Sequence, residues 1–278
     1  MTTTSIHITA IVDNTARPDL LAEHGLSLWI ETPRARVLFD TGQGAALPQN
    51  TAVLNIPLEQ ADAVVLSHGH YDHTGGLAHV FKQNRKARLF LHPDALHPRF
   101  SRHADQTMHS IGMPVASSQA LKTVPERIVW TTKPVEVAPG IHATGPIPRT
   151  TSFEDTGGDF FLDAEGQVPD PITDDQALWI ESAKGLIVIL GCAHSGVVNT
   201  LEYIARLTGT RAFHAVIGGM HLNRASPARL AATTEAFARY KVALVAPGHC
   251  TGPAATAYLS EQLPGRVKPC RSGEPFVI

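Results

Sequence analysis

Cysteine is scarce in this chain: the 278 residues hold three, Cys192, Cys250 and Cys270, an odd number at wide spacing that excludes a disulfide-stapled scaffold. Such usage suits a reducing compartment, so a cytoplasmic location is expected. A surplus of one charge is lacking as well, since 23 basic and 25 acidic residues leave a formal charge of −2. Nothing in that balance prepares a surface for a nucleic-acid polymer or an anionic membrane. Long apolar runs are missing: the longest wholly aliphatic one is Leu186-Ile187-Val188-Ile189-Leu190, far short of the ~20 residues a spanning helix needs. The start, Met1 to Ile8, has no basic stretch followed by an apolar core, so neither a membrane span nor a signal peptide is expected. No repeat, linker or low-complexity tract divides the chain, and at 43% hydrophobic content residues 1–278 read as one domain with a full core.

What the chain does have is histidine, 15 in all, and the histidines are grouped. Directly after the apolar run Ala63-Val64-Val65-Leu66 comes Ser67-His68-Gly69-His70-Tyr71-Asp72-His73-Thr74-Gly75-Gly76. Three imidazoles and a carboxylate within six positions form a metal-ligand spacing. Side chains alternate along an extended segment, so His68 and His70 can grip one ion from the same side, with Gly69 leaving room between them. Thr74-Gly75-Gly76 forces a turn that sends Asp72 and His73 in a new direction, where they could serve a second ion.

Strands are expected at Ile6–Val12, Leu26–Glu31 and Arg36–Phe39, the last ending in Asp40-Thr41-Gly42. Asp40 stands at a strand-to-loop corner, where a carboxylate commonly bonds its own backbone. Residues 44–60 read as a helix and a connection, Leu77–Asn84 as a short amphipathic helix, and Arg88–His92 as a strand. From 93 to 125 the pattern is lost among prolines and the polar residues around His97, His103 and His109; a long irregular segment of this kind is a candidate substrate-covering loop. Strands resume at Arg127–Trp130, Gly140–Thr144 and Ala177–Glu181, with Asp170–Asp175 as a turn cluster.

In the second half, three apolar strands each run into glycine and histidine: Gly185–Leu190 into Gly191-Cys192-Ala193-His194-Ser195-Gly196, Phe213–Ile217 into Gly218-Gly219-Met220-His221, and Val242–Ala246 into Pro247-Gly248-His249-Cys250. The first, apolar at every position, suits a strand buried on both faces. Glycine adds nothing to a core and permits close backbone approach, so the three ends are expected to share one pocket. His214, inside its strand, reads as a core histidine. Cys192 and Cys250 read most simply as small buried apolar residues, with thiolate ligation or packing behind the metal ligands as the alternatives, and Cys192 is a candidate for such a supporting place beside the metals or the substrate.

The His-x-His-x-Asp-His segment resembles the signature of the metallo-β-lactamase superfamily of metal-dependent hydrolases. With Ile147-Pro148-Arg149, Gly191–Gly196, Gly218–Leu222 and His249-Cys250-Thr251-Gly252, the chain resembles over nearly its whole length the branch of dihydropterin ribofuranosyl-aminobenzene phosphate synthase-like proteins. That resemblance implies an α/β fold, a four-layer αββα sandwich of two mixed sheets flanked by helices. It implies metal ligands among His68, His70, Asp72, His73, His194 and His249, with His221 as a further candidate, and Asp40 close to the metals. Zn²⁺ is the expected ion, one or two per chain, with Fe, Mn or Co as rivals. Asp72 would orient a metal-activated water or take its proton, while Arg149, in a proline-fixed loop, would contact an anionic group.

The chain also departs from the superfamily pattern. Members place a histidine, a bridging aspartate after a glycine, and a final histidine in the second half. Here His249 matches the final one, but Gly191-Cys192 stands where the glycine-aspartate pair belongs, and Gly145-Pro146-Ile147-Pro148 where the earlier histidine does. In a second register His194 is the earlier histidine and His221 takes the bridging position. The functional expectation is a metal-dependent hydrolase, phosphodiesterase- or lactonase-like, acting on a small anionic substrate with phosphate, pterin or nucleotide character. The alternatives are a synthase of the dihydropterin-ribofuranosyl-aminobenzene phosphate type and a non-hydrolytic metal-binding or redox module.

Overall fold

The computed structural model describes residues 5–278. Part of the N-terminal stretch read above, residues 1–4, lies outside the described residues. Two large sheets carry the fold. A seven-stranded sheet runs, in spatial order, Pro275–Val277, His7–Val12, Ser27–Glu31, Arg36–Phe39, Ala63–Val65, Arg88–Leu91 and Ile128–Trp130. Its first four strands pair antiparallel, and from Arg36–Phe39 onward all pairs are parallel. The six-stranded sheet runs Leu244–Gly248, Phe213–Gly219, Leu186–Leu190, Leu178–Ile180, Ile141–Ala143 and Val135–Ala138, parallel across its first three strands and antiparallel beyond.

Strand alternation divides the apolar residues among three cores. Between the sheets lie Ile8, Leu28, Ile30, Val65, Ile187, Ile189 and Ile217 with their neighbours. The opposite faces of the same strands look outward. Trp29, Leu38 and Val64 pack under Leu47, Leu77, Val80 and Leu121 from the helices Ala46–Val53, Leu77–Gln83 and Val115–Lys122. Leu186, Val188 and Leu190 pack under Leu201, Ile204, Phe237 and Leu259 from Val197–Thr208, Pro227–Arg239 and Pro253–Gln262. The result is the αββα sandwich. The run Leu186–Leu190 is buried at every position because alternate residues serve two different cores. Among the described residues, no helix is long and apolar enough to cross a membrane.

Two details differ from the sequence reading. Residues 93–125 are not irregular throughout: the strands Phe100–Arg102 and Met108–Ser110 form a hairpin, Val115–Lys122 a helix, and Phe160–Phe161 adds a third strand to the hairpin. Its side chains are half-buried or exposed, so the hairpin carries no apolar alternation to be read. His214 is half-buried rather than in the core; burial, then Lys184, holds its pKa below the usual value.

Candidate metal centre

Every ligand candidate outside the His68–His73 motif follows the C-terminal end of a parallel strand, the edge at which open α/β sheets place their sites. Asp40 follows Arg36–Phe39, and His68 and His70 come after Ala63–Val65. Cys192 and His194 follow Leu186–Leu190, while His221 and His249 follow the next two strands of the second sheet. The backbone there is strained. Asp40, Ala193, His221 and His249 have φ of 58°, 54°, 46° and 49°, a left-handed conformation that L-residues adopt at a cost and that marks functional corners.

His68, His70 and His194 form one group. The ring centres of His68 and His70 lie 4.4 Å apart, and His194 stands 4.8 Å from the first and 5.0 Å from the second. His68 Nε2 and His70 Nδ1 face one another at 2.9 Å. His194 Nδ1 is held by the Thr156 carbonyl at 2.7 Å, and its buried Nε2 has no hydrogen-bond partner. Burial pushes all three imidazoles well below the usual pKa, so they are neutral and their lone pairs are free to ligate.

His73, His249 and Asp72 form a second group. His73 Nε2 lies 3.3 Å from His249 Nε2, and Asp72 Oδ2 lies 3.6 Å and 3.3 Å from the same two atoms. Their outer nitrogens are fixed by the protein. His73 Nδ1 donates to Asp40 Oδ2 at 2.7 Å, and His249 Nδ1 meets Asn14 Oδ1 at 2.8 Å. Holding one ring nitrogen so that the other points inward is how proteins orient histidine ligands. Burial opposes charge on His73, yet Asp72 and Asp40 outweigh it and push its pKa up to about 9. The field that retains this proton would equally attract a metal cation. Burial also opposes charge on Asp72, but His73, His24 and His249 hold its carboxylate ionised, well below the usual range.

Cys192 stands between the groups. Its sulfur lies within 4.8 Å of ligand atoms of His68 and His194, and within the same limit of His73 and His249. His221 stands beside the first set, its ring centre 4.4 Å from that of His194; it also gathers with Cys192 and Cys250, and its Nε2 lies 3.2 Å from the Gly157 carbonyl oxygen. Arg149 is turned to the backbone, donating to the carbonyls of His194 at 2.7 Å and Pro171 at 2.8 Å. The Gly145–Pro148 loop therefore borders the His194 turn without adding a ligand, and His194 itself stands beside His68 and His70.

Tight packing fixes the motif. A Cβ on Gly69 would collide with the Ala95 backbone, and one on Gly191 with the Ser67 side chain, so Gly69 makes room for the chain after Arg88–Leu91 rather than for the imidazoles. Asp40 accepts from the Ser67 N–H and hydroxyl, each at 2.7 Å. The Gly69 N–H donates to Asp174 at 2.8 Å, and Asp174 is paired with the fully buried Arg99 at 2.6 Å. Sequence reading missed His24, whose Nε2 lies 3.2 Å from Asp72 Oδ2, along with Asn14 and the Arg99–Asp174 pair. None carries a motif: each comes from a loop remote in sequence. The lone signal was the acidic run Asp170–Asp175, read as a turn cluster.

Beside His249 opens a cavity of about 1050 Å³, lined by His24, His221, His249 and Cys250 together with Ser101, Arg102, His103 and Phe160. The hairpin of the 93–125 segment thus forms one wall. His97, His103 and His109 are exposed, and the latter two stack on each other at 3.9 Å, apart from the ligand cluster.

A mixed-sheet αββα sandwich with two histidine groups at its strand ends defines a class of metal-dependent enzymes, and residues 21–249 match the model of the Metallo-beta-lactamase superfamily. The chain belongs to that superfamily. It is 32% identical over 241 residues to the 7,8-dihydropterin-6-methyl-4-(β-D-ribofuranosyl)-aminobenzene-5'-phosphate synthase of Methanocaldococcus jannaschii, covering 83% of this chain and 82% of that protein. An uncharacterised protein of the same organism is 33% identical over 256 residues, 91% of this chain and 94% of its own. The crystal structure of Tm1679, described as a metal-dependent hydrolase of the β-lactamase superfamily, superposes with a TM-score of 0.82 at 28% identity over 98% of both chains.

Proposed function

We propose that this protein is a metal-dependent hydrolase acting on a small anionic substrate. The observation that carries the reading is the pair of histidine groups, each with outer nitrogens or rings fixed and inner nitrogens converging, beside a cavity that His249 lines. The donor set fits Zn²⁺ or a similar borderline ion: His68, His70 and His194 would hold one, and His73, His249 and Asp72 a second. Ions bound there supply Lewis acidity and lower the pKa of water. Asp72 Oδ2, kept ionised by its three imidazole neighbours, accepts a proton from the attacking water and fixes its direction. Asp40 and Asn14 keep His73 and His249 from turning.

Anion selection falls to the cavity rim. Arg102, His103, Asn223 and Arg224 all line the cavity, and Arg224 makes no ion pair among the described residues, which suits a phosphate or carboxylate. A second reading, a synthase of the pterin-aminobenzene type, is favoured by the relative of that name. The discriminating experiment offers phosphodiester, phosphomonoester and lactone substrates, and separately a dihydropterin with a ribofuranosyl-aminobenzene phosphate. The hydrolase reading expects turnover that a chelator abolishes, that Zn²⁺ restores, and that Asp72→Ala lowers by about 10²–10⁴-fold while the fold persists by circular dichroism. Full activity in Asp72→Ala would refute the role given to that carboxylate; condensation without hydrolysis would favour the synthase.

A further inference from the structure

Cys192 occupies a position that the two histidine groups alone leave unexplained. Its residue is 3% exposed, so its thiol is shut off from solvent. Yet it is not surrounded by apolar atoms as a core cysteine would be. Its Sγ lies 3.2 Å from His73 Nε2, on the inner side of that ring. Among the described residues, it is the one side chain that belongs both to the set with His68 and His194 and to the set with His73 and His249. Asp72 belongs to the second group, its Oδ2 3.6 Å from His73 Nε2 and 3.3 Å from His249 Nε2, and it also gathers with His24 and His249. The other buried acids around the motif are engaged elsewhere: Asp40 by Ser67 and His73, Asp174 by Arg99 and Gly69, and Asp175 by the Ser195 N–H at 2.6 Å.

The local fold holds the sulfur there. Gly191 lacks the Cβ that would strike Ser67, which brings the end of Leu186–Leu190 against the metal motif. Ala193, at φ 54°, then turns the chain so that Cys192 and His194 both reach the same group. Cys250 closes one side, its Sγ 3.7 Å from the Cys192 carbonyl oxygen. Cys250 shares a set with Cys192 and His221 only.

We propose that Cys192 Sγ is a metal ligand shared by the two sites, a bridging thiolate between the histidine groups. The inference rests on the metal-dependent reading above and deepens it. On metal binding the Sγ–H bond breaks, its proton passes to solvent, and the sulfur lone pairs form the new bonds, with no change in oxidation state. A thiolate at the centre biases the site toward thiophilic ions such as Zn²⁺, Co²⁺ and Fe²⁺ over Mg²⁺ or Mn²⁺.

Titration of the metal-stripped full chain with Co²⁺ alone tests this without reference to turnover. The expected result is a near-ultraviolet sulfur-to-cobalt charge-transfer band that grows as two ions bind. It should persist in Cys250→Ser and Cys270→Ser and vanish in Cys192→Ser, with loss of tight binding of one ion. Cys192→Asp should bind two ions with no such band. Should Cys192→Ser fail to fold, persistence of the band in both other serine variants assigns it to Cys192, since the chain has three cysteines. Two ions bound by the wild type without the band, or a band lost in Cys250→Ser, would overturn the bridging thiolate and leave the histidine site standing. Failure to bind Co²⁺ would overturn both.

Discussion

Asp40 does three things with two oxygens. It accepts from the Ser67 backbone and hydroxyl and from His73 Nδ1, all at 2.7 Å and fully buried. The turn-forming role that its sequence position suggests is thus joined to control of one imidazole, because the same oxygen that bonds the Ser67 hydroxyl also fixes which nitrogen of His73 carries hydrogen. With Asp40→Asn, the new side-chain amide could still accept from the Ser67 N–H, but its NH₂ would face His73 Nδ1 and drive that hydrogen to Nε2, the inward atom. The substitution is therefore expected to lower metal affinity by about 10–100-fold with a smaller effect on thermal stability. Calorimetric Zn²⁺ binding beside a melting curve checks it, and unchanged affinity would remove Asp40 from the site. At this scale much was legible from sequence. His68, His70, Asp72, His73, His194 and His249 converge in two groups, and each sat in a compact motif or at a glycine-marked strand end. His24 and Asn14 were not legible, because a single polar residue in a loop reveals its partner only when the chain is folded.

Among the elements, the strand ends decide how rigid the site is. The motif leaves Ala63–Val65 and passes beneath Ala95, where backbone contacts admit no side chain on Gly69. Its N–H is tied through Asp174 to buried Arg99. Gly69→Ala must move either the motif or the Pro93–Leu96 turn, and overpacking of this kind costs about 1–3 kcal/mol. The expectation is a lower melting temperature together with weaker metal binding, measured on the same preparation; a variant that matched the wild type in both would mean that the turn yields freely. Core strands such as Leu186–Leu190 were readable because burial on both faces leaves an uninterrupted apolar run. The Phe100–Ser110 hairpin was not, because strands that bury little carry no alternation.

Over the whole molecule, the two sheets bring together residues from both halves of the sequence. The first sheet contributes His68, His70, Asp72 and His73, and the second Cys192, His194 and His249, so the site exists only when the sandwich is closed. The core between the sheets, built from Ile8, Leu28, Val65, Ile187, Ile189 and Ile217 among others, therefore sets the distance between the ligand groups. Composition pointed to one domain with a full core, and the resemblance carried by the histidine motif and the glycine-histidine strand ends implied the sandwich. What they left out was the join: the sequence showed ligands in separate segments, and the pairing of His73 with His249 across 176 residues is a product of the topology.

That pairing is the central claim, and elemental analysis of the purified protein tests it most directly, with metals counted per chain for the wild type and for His249→Ala. The account predicts near two ions in the wild type, falling toward one in the variant as the group of His73, Asp72 and His249 loses a ligand while His68, His70 and His194 keep theirs. One ion or fewer in the wild type, unchanged by the substitution, would contradict it.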